Sequence, residues 1–165
     1  HPGADRSLQG CPELGVLLER RRAPAFTEVR DALRPHLDTW RDQPKLATSI
    51  MSGLARKRRS TLATQVLQCM QDAHIKVDAI QFTTVINACG KGSHWQMALV
   101  LFGSMVLSQI AYDVVSYNAA ISASREGDQW QLAVALLSSM RTLRLPQHVR
   151  RFPSGARADE RGAQA

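Results

Sequence analysis

Apolar positions in the middle of this chain recur at helical spacing, in pairs of segments. Within residues 79–113, Phe82, Val85, Ile86 and Cys89 fall at i, i+3, i+4 and i+7, which is one face of a helix. Trp95, Ala98, Leu99, Phe102, Met105 and Val106 make a second, broader stripe. Between the two, Gly92 is expected to stop the first helix in a left-handed conformation. Ser93, with Gln96 three residues on, is expected to open the second as a capping box. Residues 114–148 repeat the plan. Tyr117, Ala120 and Ile121 line the first helix, Gly127 ends it, and Asp128 with Gln131 supplies the next capping box. Trp130, Ala133, Leu136, Leu137 and Met140 line the second. Each stretch predicts an antiparallel helical hairpin.

The hairpins share a register of 35 residues. Met70, Met105 and Met140 keep it, as do Ala63, Ala98 and Ala133, and Met51, Ile86 and Ile121. Trp95 pairs with Trp130, Gly92 with Gly127, Phe82 with Tyr117 and Asp78 with Asp113. A fixed period of this length marks units that bury their apolar faces by stacking on neighbours. The expected organisation is therefore all-α: repeats at 79–113 and 114–148, and a worn repeat at 44–78. In the worn unit Ala47 replaces the aromatic, Lys57 the turn glycine and Ser60 the tryptophan. Residues 1–43 predict a degenerate unit or N-terminal cap, loose over 1–10. They hold short helices near 12–22 and 26–38, the second kinked or ended by Pro35. Residues 149–165 carry Pro153, Gly155, Gly162 and charges without periodicity, and are expected to be a disordered basic tail.

Charge adds a direction to this picture. The chain has 165 residues and a net charge of +7, with a sequence pI near 10.0. Residues 44–60 hold Lys45, Arg56, Lys57, Arg58 and Arg59 with no acid, and the tail adds Arg150, Arg151, Arg157 and Arg161. Such an excess suits a polyanionic partner, although a solvated surface explains it as well. Cys11, Cys69 and Cys89 are odd in number and lack C-x-x-C spacing, which fits a reducing compartment rather than a disulfide framework or zinc site. No apolar run reaches the ~20 residues that span a bilayer. The histidines show no H-E-x-x-H and no ligand-spaced partner, and Glu13 and Glu19 have no visible acid–base pairing. No phosphate loop or Ser-His-Asp arrangement is present. The expectation is a non-enzyme without cofactor or metal. Because it opens on His1 rather than Met, the chain is expected to be a piece of a longer protein.

The stretch Val114-Val115-Ser116-Tyr117-Asn118-Ala119-Ala120-Ile121-Ser122-Ala123, with Gly127, Ala133 and Met140 after it, resembles the pentatricopeptide repeat. Phe82-Thr83-Thr84-Val85-Ile86-Asn87-Ala88-Cys89-Gly90-Lys91-Gly92 resembles it again. The tetratricopeptide repeat, the nearest rival, wants a glycine followed by a tyrosine in its first helix. Here Ile86 and Ile121 are followed by Asn87 and Ser122. The resemblance implies a right-handed α-solenoid of stacked antiparallel helix pairs whose first helices line a groove for single-stranded RNA. It also implies a mitochondrial or chloroplast setting, and a role in RNA processing, editing, stability or translation alongside protein partners in an RNA-processing assembly.

In that family the fifth and last residues of each unit read one base. Carried over, the pairs are Thr48 with Asp78, Thr83 with Asp113, and Asn118 with His148. The first two resemble the guanine-preferring pairing, whereas His148 departs from the pattern. Ile80 and Val115 resemble the base-sandwiching second residues, a place Lys45 takes in the worn unit. Lys91 and Arg125, with Arg56 and Lys57, sit where phosphates would be met. The chemistry is sound on its own terms: a Thr hydroxyl donates or accepts, and an Asp carboxylate takes two donors from a base edge. Each signal also has a plainer reading. Asp78 and Asp113 directly precede helices, where Asp is a favoured N-cap, and Gln81 would complete a box with Asp78. Trp95 and Trp130 suit an inter-unit core better than a stacking platform. The alternative function is a scaffold that binds a peptide or partner helix and no RNA.

Overall fold

A computed structural model of the chain describes residue 8 and residues 10–143. His148 and the basic tail at 149–165 lie outside them. Six helices of 13 residues form the array. They are α4 (Pro44–Arg56), α5 (Ser60–Asp72), α6 (Ala79–Lys91), α7 (Trp95–Leu107), α8 (Val114–Glu126) and α9 (Trp130–Thr142). First helices start at 44, 79 and 114 and second helices at 60, 95 and 130, so the backbone keeps the interval of 35 throughout. Among the described residues there is no strand. The architecture is an α-solenoid. First helices α4, α6 and α8 pack side by side; α5 and α7 each pack on their own partner and on the next first helix, and α9 packs on α8.

Packing follows the register. Met51, Ile86 and Ile121 are 1% exposed or less, and Met70, Met105 and Met140 likewise. Ala63, Ala98 and Ala133 keep neighbouring helices close, as small residues do at a contact. Between α7 and α8, Phe102 stacks on Tyr112 at 4.2 Å, and Tyr117 meets both rings edge-on at 5.1 and 5.4 Å. Such a trio adds about 0.5–1.5 kcal/mol per pair beyond its burial. The stripe expected on α7 shifts by a residue: Leu101 is buried, whereas Val106 is 57% exposed.

The turns correct the glycine assignment. Gly92 and Gly127 have φ of −85° and −88°, not left-handed values. The left-handed residues come one place later, at Arg58, Ser93 and Asp128, and again between units at His74 and Gln109. Both sets keep the 35-residue interval although residue types differ. The cause is hydrogen bonding: His94 N donates to Cys89 O at 2.9 Å, Arg59 N to Leu54 O at 2.9 Å and Gln129 N to Ser124 O at 2.7 Å. These are the six-to-one closures of a Schellman turn, which force the left-handed residue. Ser93 and Asp128 therefore cannot cap, and His94 and Gln129 stand at the N-caps of α7 and α9 without a side-chain capping bond.

The glycines serve close approach instead. A Cβ on Gly127 would lie 2.5 Å from Cδ1 of Trp95, inside the indole. One on Gly92 would meet Oγ of Ser60 at 3.0 Å. Trp95 is thus an inter-unit core residue, as its stripe predicts. Trp130 is not: it is 64% exposed, because no described helix follows to cover it.

The N-terminal region departs from the repeat plan. It contains α1 (Pro12–Glu19), α2 (Phe26–Leu33), a 3-10 turn at Arg34–His36 and α3 (Leu37–Asp42). Pro35 has no N–H to continue the bonds of α2, which gives way to the 3-10 turn that makes the corner between α2 and α3. Helix α2 packs on the second helix α5 and α3 on the first helix α4, so the region covers the open end of the array. Buried Leu14, Val29, Leu33 and Trp40 form its share of the core.

Candidate nucleic-acid interface

Each expected base-reading aspartate caps a helix. Asp78 Oδ1 accepts from Gln81 N at 2.8 Å, and Asp113 Oδ1 accepts from Ser116 N at 2.7 Å. The return bonds of the capping boxes come from Asp78 N to Gln81 Oε1 (3.1 Å) and Asp113 N to Ser116 Oγ (2.9 Å). Both aspartates remain exposed, and the cap uses only Oδ1. Capping and base recognition are therefore compatible at one residue, since a carboxylate has a second oxygen.

The two threonines of the expected pairs differ. Thr48 Oγ1 donates to Pro44 O at 3.2 Å and accepts from Gln81 Nε2 at 3.1 Å. Gln81 thereby bridges the fifth residue of one unit and its last, Asp78. Position 116, one period later, is a serine. Its hydroxyl donates to Asp113 O at 2.8 Å and is too short to reach the neighbouring helix. Thr83 accordingly makes no hydrogen bond among the described residues. It is buried, at 6% exposed. Asn118, half-buried on α8, likewise keeps its carboxamide free of partners among the described residues.

Apolar groups flank this row. Ile80 is 66% and Val115 50% exposed, each in the first turn of its helix. Isoleucine and valine so exposed on a first helix provide flat apolar edges for a planar group. Lys45, one period before Ile80, is exposed as well. The cations lie at the other end of the same helices. Arg56, Lys91 and Arg125 occupy the last turns of α4, α6 and α8, and Lys57 caps α4. All four are exposed. Cations at helix C-termini contribute roughly 0.3–1 kcal/mol to the helix itself, so they have a local reason to be there. Two neighbours in the basic run are committed differently. Arg59 donates to Leu18 O at 2.8 Å, tying α4–α5 to the N-terminal region, and Arg58 is the left-handed turn residue.

Cys69 and Cys89 are buried in the core. Burial pushes the Cys69 thiol up to about 11 and raises that of Cys89, so neither is a thiolate nucleophile at neutral pH. Among the described residues, no helix is long and apolar enough to cross a membrane.

A row of caps and polar residues along the first helices, repeated at 35 residues, is joined by a family match. The family model described as pentatricopeptide repeat-containing protein matches residues 45–142, more than half of the chain. The chain belongs to the pentatricopeptide repeat family. No curated protein matches it beyond that. The match covers α4 to α9 and stops short of the N-terminal region. Sequence reasoning missed the role of Gln81: read as a capping partner, it is also the residue that closes Thr48. Its signal was the change from Gln81 to Ser116 at equivalent positions, whose consequence depends on a reach between helices that spacing does not give.

Proposed function

We propose that this pentatricopeptide array binds single-stranded RNA through its first helices and serves organellar RNA processing, editing, stability or translation, in the mitochondrion or chloroplast. The observation that carries the reading is the second unit's site. There Thr83 makes no side-chain hydrogen bond among the described residues, and Asp113, the last residue of the same unit, is exposed with one carboxylate oxygen outside the cap. Ile80 and Val115 stand exposed on the same helices and would sandwich a base. Lys91 and Arg125 would meet the backbone phosphates, with Arg56 and Lys57 at the matching end of α4. The chain acts as a scaffold, not an enzyme.

Base stacking supplies about 1–3 kcal/mol per base in single-strand binders, so three units give modest affinity. The test is binding of short single-stranded RNA pools at two salt concentrations. Binding that weakens with salt, by about 0.7 logarithmic units per logarithmic unit for each phosphate neutralised, supports the proposal. Absence of RNA binding at low salt, with a peptide partner retained, overturns it in favour of a protein-interaction scaffold.

A further inference from the structure

Outside the array, the fold brings together three groups that are far apart in sequence. Cys11 stands at the N-cap of α1 and is fully buried. Glu13 lies in the first turn of the same helix, and His36 ends the 3-10 turn that Pro35 imposes after α2. Cys11 Sγ is 3.6 Å from Glu13 Oε2, and His36 Nε2 is 2.8 Å from that same oxygen. The thiol sulfur, a carboxylate oxygen and an imidazole nitrogen all lie within 4.8 Å of one another.

We propose that Cys11, Glu13 and His36 form a binding site for a borderline-soft divalent transition metal, zinc(II) above all, that clips α1 to the corner between α2 and α3. Zinc holds sulfur at about 2.3 Å and nitrogen or oxygen at about 2.0–2.2 Å, which sets tetrahedral ligand atoms roughly 3.3–3.7 Å apart. The Cys11–Glu13 contact of 3.6 Å already falls in that range, and the His36–Glu13 contact of 2.8 Å has to open by about 0.5 Å to enter it. The donor set selects the metal class. A thiolate with an imidazole suits zinc or cobalt(II), whereas magnesium and calcium demand oxygen. On binding, the Cys11 sulfur gives its proton to solvent and the His36–Glu13 contact is exchanged for two metal bonds. Three protein ligands leave the fourth position to water.

Location gives the clip a purpose. Residues 11–43 have no repeat packing of their own, and α1 and the corner are short elements. Below about 15 residues a helix depends on tertiary contacts. A metal joining Cys11 and Glu13 to His36 closes a loop of some two dozen residues and orders the unit that covers the first array helices.

The test is titration of the whole chain with cobalt(II), followed by displacement with zinc(II). The expected result is one equivalent of cobalt with a sulfur-to-metal charge-transfer band and tetrahedral d–d bands, which zinc removes. Zinc should also raise the melting midpoint of the wild type. Glu13→Gln and His36→Ala alter exposed or half-exposed side chains and should fold, which circular dichroism checks. Each should weaken cobalt binding by about tenfold or more and abolish the zinc-dependent rise. Cys11→Ser should lose the charge-transfer band, while Cys69→Ala should keep it. No stoichiometric band at micromolar cobalt, or a band indifferent to His36→Ala, overturns the proposal.

Discussion

The array has two joints between successive units, built at equivalent positions in different ways. At the first, between 44–78 and 79–113, the tryptophan position is Ser60, and its hydroxyl pairs with His94 Nδ1 at 2.9 Å above Gly92. Gln81 reaches back across this joint to Thr48. At the second, between 79–113 and 114–148, the indole of Trp95 covers Gly127, and Ser116 stays on its own helix. The first joint is polar and tied through the fifth-position threonine. The second is closed by an aromatic on a glycine, and its threonine is left unpaired. A worn position is thus not mere decay: Ser60, with Gln81 of the next unit, gives the first joint polar links where the second has an apolar seat. The lesson is that loss of a consensus side chain changes which groups remain free for a ligand.

The largest expected contrast is in the tryptophans. Trp95→Ala should cost about 3 kcal/mol, near the lower end for large aromatic truncations, because it empties the second joint. Trp130→Ala, at a 64% exposed position, should stay within about 0.5 kcal/mol. Chemical denaturation of both variants checks this, and equal losses would deny the joint its aromatic character. Next comes the glycine contrast. Gly127→Ala places a methyl in the indole and should cost about 1–3 kcal/mol. Gly92→Ala meets a hydroxyl at 3.0 Å and should lose clearly less in the same assay. Smallest is Gln81→Ala, which removes the link to Thr48 and the return bond of a capping box. A loss of about 1 kcal/mol is expected. In exchange Thr48 loses its Gln81 contact and keeps only its bond to Pro44 O, so RNA affinity measured by fluorescence anisotropy should hold or rise despite the weaker fold.

The apolar register was legible in the sequence because residues one period apart meet equivalent neighbours inside the stack. Every matched Met, Ala and Ile position is core, and the belt of caps at Asp78 and Asp113 is where Asp before a helix belongs. The turns were less legible. Ser93 and Asp128 look like caps by residue type, yet the six-to-one hydrogen bonds put them in a left-handed conformation that caps cannot adopt. Trp130 shares its stripe with Trp95, but exposure depends on the helix that follows. Thr48 and Thr83 read alike in sequence, and only the reach of Gln81 across the joint separates them. The cluster of Cys11, Glu13 and His36 was invisible for a related reason, since the corner at Pro35 brings the histidine back to α1.

The most direct test compares Thr48→Asn with Thr83→Asn by selection of preferred bases from a randomised single-stranded RNA pool. The open second joint predicts that Thr83→Asn shifts the preferred base at one position, away from the guanine its pairing with Asp113 resembles. Thr48→Asn should leave the preference as it is in the wild type, because Gln81 already occupies that site. A shift with Thr48→Asn, or none with Thr83→Asn, would contradict the account.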